Sequence, residues 1–202
     1  MLHIYRSRYF WRIAPVLFVG MGISQGLGTL YVYSWLTDVT GFDGARAASA
    51  VGWVILISAV NFALLGPLAE HLGRRGLGAM VLPVTGQVLA LVLLCLLAAQ
   101  FHQGAVPLWV FYTMAAGTST LAFTALAQAF PVQLIGRAYT AFNLLGFLST
   151  AGAQWLVGAV LDAYPRTATG AAPEGYQTAF IVLAGIQLTA TAWFAWASRK
   201  PA

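Results

Sequence analysis

The chain has 202 residues, of which 60% are hydrophobic and only 7% charged, with a mean hydropathy of +0.79 and a net charge of +5. Ordinary soluble domains have about a quarter of their residues charged, so this composition excludes a soluble fold and places the chain in a lipid bilayer. The positive charge does not point to nucleic acid, because no basic run is interleaved with aromatics on a polar face.

Six apolar runs follow one another, at 13–36, 48–69, 78–100, 107–129, 138–161 and 177–197. Each is long enough to cross a hydrocarbon core of ~30 Å, which takes about 20 helical residues. Helices are the expected form, since open strands would leave backbone groups unsatisfied in lipid. The first run is too long for a signal-peptide core and has no small-residue cleavage site after it, so it reads as a retained span.

The first span opens on a belt of Tyr5, Tyr9, Phe10 and Trp11 among arginines, as expected at a membrane interface. Its middle holds two stripes of small residues, Gly22/Gly26 and Gly20/Ser24/Gly28, which permit close helix approach. Gly22 to Gly26 also spell G-x-S-x-G. A nucleophile elbow needs that motif at a strand-to-helix turn with a histidine in reach. Here it falls mid-span, and His3, His71 and His102 lie at or beyond the membrane faces. No enzyme is expected. Gln25 carries an amide near mid-bilayer, which is costly unless it is bonded or faces a wet cavity. A bond to a neighbouring helix and a place beside a solute path both remain open for it.

The second span carries Ser58 and Asn61 and runs into the cluster Gly66 to Gly76, the one compact charged stretch between two long apolar runs. Gly66 and Gly73 suggest a short link turning back between helices. Arg74 and Arg75 would then lie among lipid phosphates. The third span is the most apolar, with Leu89 to Leu97 almost uninterrupted, and is expected to face lipid. Its Cys95 is the single cysteine, so no disulfide within one chain and no cysteine metal site follow from it. It reads as a small packing residue.

Pro107 opens the fourth span, suited to a first helical turn. Thr118, Ser119, Thr120, Thr124 and Gln128 form a polar stripe along it. Such hydroxyls often bond back to the preceding turn, but their density after Gly117 suggests a packing seam or a cavity wall. The fifth span is again rich in glycine and polar groups, with Asn143, Ser149, Thr150 and Gln154. Residues 162–176 read as an irregular loop, and the last span closes on Trp193, Trp196, Arg199 and Lys200.

With the N-terminus placed in the cytoplasm, one side holds eight basic residues (Arg6, Arg8, Arg12, Arg74, Arg75, Arg137, Arg199, Lys200) and the other only two, Arg46 and Arg166. That bias predicts cytoplasmic termini. Three spans, a short outer connection and three more give two triplets of opposite orientation, the plan of inverted-repeat transporters.

The cluster resembles a signature of the major facilitator superfamily, a loop of the form G-x-L-a-D-r-x-G-r-r between the second and third helices of each six-helix half. Gly66, Leu68, Gly73, Arg74 and Arg75 match it, while Glu70 stands where Asp is usual and His71 where Arg is usual. Gly136-Arg137-Ala138 with Asn143, and Gln154 to Gly158 ending at Asp162, look like the tenth-to-eleventh helix region of that family. The arginine-rich start is similar to the run from the central linker into the seventh helix. The resemblance implies an all-α membrane domain, one six-helix half made of two inverted three-helix repeats.

It further implies a division of labour. First and fourth spans would line a cavity, with Ser24, Gln25, Thr118, Ser119, Thr120 and Thr124 as solute-facing candidates. Gly66, Leu68, Glu70, Gly73, Arg74 and Arg75 would form a cytoplasmic gating loop. Second and fifth spans would meet the other half, through Asn61, Arg137, Asn143 and Gln154, and third and sixth would face lipid. Glu70 would pair with a cation across that interface, or with Arg137 of this chain or a second copy. Expected partners are the bilayer of a bacterial inner membrane, a small solute, and a first-half chain or second copy. No cofactor, metal or nucleic acid is expected. No Asp, Glu, Lys, Arg or His lies within any span as drawn, so an ion-coupling group would belong to the partner, or the system is a facilitator. The other reading is a non-transporting membrane subunit or a fragment of a twelve-helix transporter.

Overall fold

The computed structural model describes residues 8–124, 131–168 and 170–199; Gln128, Lys200 and the first seven residues lie outside them. Among the described residues six helices are long and apolar enough to cross a membrane, and there is no strand. The chain is a multi-pass membrane protein, all-helical among the described residues. The helices are α1 (Arg8–Asp38), α2 (Gly44–Arg74), α3 (Val81–Ala98), α4 (Ala105–Gly117), α5 (Val132–Asp162) and α6 (Pro173–Ala197). A 3-10 turn, Thr118–Leu121, extends α4 so that the span reaches Thr124. Most helices overrun the apolar runs that announce them, because backbone pairing continues past the hydrocarbon edge. Asp43 caps α2, its carboxylate accepting the Arg46 N–H at 2.9 Å, and Pro173 opens α6, where its missing N–H costs nothing.

The structure corrects the reading of the glycine-arginine cluster as a hairpin link. Helix α2 continues through Gly66, Leu68, Glu70 and Gly73 to Arg74. The chain turns at Gly76, whose φ of +83° suits a residue without Cβ. Leu77 N–H then reaches back to the Leu72 carbonyl at 3.1 Å, closing the helix as a Schellman motif.

Helix α1 packs on α5 and α6, α4 packs on α2 and α3, α1 meets α4, and α3 meets α6; further contacts join α5 to α6 and α1 to α2 and α3. Half of each apolar window of α1 and α4 is buried, against 17% for α2 and α5. The larger core gathers Leu27, Trp35, Leu94, Trp109, Tyr112, Tyr176 and Phe180. A smaller one at the arginine-rich end joins Phe10, Ile13 and Leu17 to Ala122, Ala138 and Phe142.

Helix α3 does not simply face lipid. Val88, Leu89, Val92 and Leu96 are exposed, but the opposite face buries Gly86, Gln87, Ala90, Leu94 and Leu97. Helix α6 divides likewise, exposing Ile181, Val182 and Leu188 and burying Gln187. Cys95 is exposed rather than packed.

Candidate functional site

The polar centre of the bundle lies where α3, α4 and α6 meet, on residues the apolar pattern conceals. Gln87 and Gln187 are 0% and 1% exposed. Gln87 Nε2 donates to the Ala116 carbonyl at 3.1 Å. Gln187 Nε2 donates to the Gln87 carbonyl at 3.0 Å and to Gln87 Oε1 at 3.2 Å. Three helices are thereby tied by amides in a medium where an unbonded amide costs several kcal/mol. Gln187 Oε1 has no partner, so the seam keeps one unused acceptor. The signal for both residues is the one that singles out Gln25, an amide within an apolar span.

Close backbone approach makes this seam possible. A Cβ on Gly86 would lie 2.0 Å from Thr118 Oγ1 and 2.6 Å from the Ala115 carbonyl oxygen. On α1, a Cβ on Gly20 would meet Gln87 Oε1 at 1.7 Å, while Gly22 and Gly26 pack against Ser149, Thr150 and Ala153 of α5. The two small-residue stripes of α1 thus serve two different neighbours, though Gly28 meets nothing.

The expected solute-facing residues separate into two sets. Thr118 and Ser119 are buried, and their hydroxyls donate back to the Ala115 and Ala116 carbonyls at 2.7 and 2.8 Å. Thr120 bonds the Gly117 carbonyl at 2.9 Å but is exposed, as is Thr124. Ser24 is half-buried and donates to the Met21 carbonyl at 3.0 Å within a continuous helix, so the G-x-S-x-G here has no strand-to-helix elbow. Gln25 is exposed and continues into Thr29 and Tyr33, also exposed, at a spacing of four. No hydrogen bond links Gln25 to the Thr118–Thr124 stretch among the described residues.

Several polar side chains of α2 and α5 are bonded within the chain. Asn61 Nδ2 donates to the Met114 carbonyl at 3.2 Å and Ser58 to Thr113 at 2.9 Å, tying α2 to α4. Gln154 Nε2 donates to Thr29 Oγ1 at 3.1 Å and Tyr31 donates to the Gln154 carbonyl at 2.9 Å, tying α5 to α1. Asn143 and Arg137 are exposed. Glu70 does not pair with Arg137 of this chain. It pairs with Arg74, one turn along the same helix, at 2.7 Å, with both side chains exposed; the i,i+4 spacing makes this the nearest cation.

At the opposite end an aromatic column joins Tyr176, Phe180, Trp109, Trp35 and Tyr112 through edge-on contacts with centroids 5.7–6.1 Å apart. Trp35 Nε1, Trp109 Nε1 and Tyr112 OH are buried without acceptors. Asp38 closes this end, accepting from Tyr176 OH at 2.8 Å and from the Ala171 N–H at 3.1 Å. The connection after α5 is thus fastened to the end of α1. Asp38 falls just beyond the first apolar run, and no local sequence rule gives it this partner, since the contact spans more than 130 positions.

Carboxamides, hydroxyls and indoles recognise ligands by hydrogen bonds and do not titrate near neutrality. Among the described residues no three His, Cys, Asp or Glu side chains gather as a metal set. No protein-family model matches the chain, and no curated protein is significantly similar to it.

Proposed function

We propose that this chain is half of a secondary transporter, moving a small hydrogen-bonding solute by alternating access together with a first-half chain or a second copy. One observation carries the reading. Exchanging α1–α3 for α4–α6 turns the α1–α5 contact into α4–α2 and the α1–α6 contact into α4–α3, while α1–α4 and α3–α6 map onto themselves. That is the pairing expected of two inverted triplets. The contacts of α5 with α6, of α1 with α2 and of α1 with α3 have no equally extensive counterparts in α2–α3, α4–α5 and α4–α6. The two least buried spans, α2 and α5, are also equivalent under that exchange, which supports a partner that covers them. The solute path would be lined by Gln25, Thr29, Thr120 and Thr124, and the membrane would be a bacterial inner membrane with cytoplasmic termini.

The orientation is tested with single thiols. Arg166→Cys should react with an impermeant reagent outside sealed cells and Gly78→Cys should not; both sites are exposed and open. The transport reading is tested by reconstituting the chain with and without its co-purifying partner and measuring counterflow of neutral solutes. A monomer that transports by itself would sink it.

A second reading, a membrane subunit that does not transport, rests on a different observation. Asn61, Ser58 and Gln154 bond within the chain, and the exposed face of α2 is apolar, with Trp53, Ile55, Leu56, Val60 and Leu64. Such a face tolerates lipid. Cysteine crosslinking across α2 and α5 separates the two, since the half-transporter forms a specific pair and the free subunit does not.

A further inference from the structure

Where α2 turns into α3, the arginine-rich end opens a groove of about 740 Å³. Its floor is mainly apolar, made by Leu72, Leu77, Val81, Leu82 and Leu121 with Thr124 beside them, and Glu70 and Arg74 stand on its rim. The local sequence builds this arrangement. The left-handed Gly76 lets Leu77 fold back on Leu72, so an apolar wall forms directly beside the arginines that end the helix. A groove of this size matches a lipid-sized or drug-sized ligand.

Charge selects among occupants. The charged residues that line the groove, Glu70 and Arg74, balance each other, and the excess positive charge comes from Arg75, the next residue in the chain and not itself a lining residue. Arg74 is held by Glu70 at 2.7 Å, whereas Arg75 is exposed and in no ion pair among the described residues. We infer that the groove binds an anionic phospholipid, with the phosphate on Arg75 and Arg74 and one acyl chain along Leu72, Leu77, Val81, Leu82 and Leu121. Guanidinium groups hold phosphate oxygens through paired, charge-assisted bonds. An apolar floor beside them demands a ligand with both parts, which a free anion lacks. Glu70 opposes the phosphate and competes for Arg74, so its carboxylate weakens the site. Thr124, proposed to line the solute path, also lines this groove, so the lipid is tested by its retention and without a transport assay.

The test uses the full chain purified in a non-ionic detergent, with lipid retention measured by native mass spectrometry against phosphatidylglycerol and phosphatidylcholine. Phosphatidylglycerol should be retained in preference. Cations near an anionic lipid surface contribute enough for about fivefold each, so Arg74→Gln with Arg75→Gln should lower retention by tenfold or more. Leu121→Trp, which fills the floor without altering charge, should lower it as well, and Glu70→Gln should raise it. Arg166→Gln, at the other end of the bundle, should leave it unchanged. Equal retention of the two lipids in the parent chain would overturn the assignment. So would an equal loss in Arg166→Gln, which would mean diffuse charge, or full competition by inorganic phosphate, which would mean a headgroup site without a chain. A peptide partner displacing the lipid in a crosslinking experiment would overturn it too. If the double arginine variant loses helicity, the parent comparison and Leu121→Trp decide.

Discussion

The four helices α1, α3, α4 and α6 and the two flanking helices α2 and α5 carry similar residues and use them differently. Both groups contain amides in mid-span and both contain close glycine or alanine contacts. In the first group, Gln87 and Gln187 are wholly buried and bond across three helices. In the second, Asn61 and Gln154 are half-buried and each fastens its helix to one neighbour, while Asn143 is exposed. Hydropathy does not separate the groups. The most apolar span, α3, has 44% of its window buried, and α2, next in hydropathy, has 17%. In hydrocarbon, apolar side chains gain nothing by turning inward, since lipid tails are as apolar as leucine. Small residues and amides therefore set how a span is rotated.

The largest test of the contrast is steric. Gly86→Ala places a Cβ against Thr118 and the Ala115 backbone, and overpacking of this kind costs about 1–3 kcal/mol. Gly152→Ala on α5, where nothing lies within 4 Å, should be neutral or slightly stabilising by helix propensity. Thermal or denaturant unfolding in one detergent compares the pair. Equal effects would mean that α3 is no more tightly packed than α5.

Next comes the amide seam. Gln187→Leu strands Gln87 Oε1 without its donor, and a buried polar group left unsatisfied costs about 1–3 kcal/mol. Gln87→Leu should cost a similar amount. The double variant should cost clearly less than the two singles together, because paired residues are not additive. Strict additivity in unfolding measurements would show that the two amides act separately.

The smallest effects belong to the flanks. Asn61→Leu and Gln154→Leu each remove one interhelical bond, for which about 0.6 kcal/mol is the measured average in a membrane bundle. Asn143→Leu, exposed and with no hydrogen bond described, should change monomer stability by less than about 0.5 kcal/mol. A drop in complex formation with unchanged monomer stability would place Asn143 on the partner-facing side and sharpen the difference between the groups.

The hydropathy of the sequence determines the six spans, because 20 or so apolar residues in a row admit only helix in a bilayer. Its glycines also mark close approach in α1, and Gly22, Gly26 and Gly20 are all in such contacts. Rotation and partnership were not legible. Gln25 and Gln87 present the same signal, an amide among apolar residues, yet one is exposed and the other sealed between α3, α4 and α6. Nothing in the spacing distinguishes them, since an apolar stripe carries no inward direction in lipid. Glu70 illustrates the same limit at short range. Its partner, Arg74, became evident only because α2 runs on past Gly66 and Gly73 and brings i and i+4 together. The Asp38 to Tyr176 contact lay beyond any local rule, for it exists only once the packed bundle brings the end of α1 beside the start of α6.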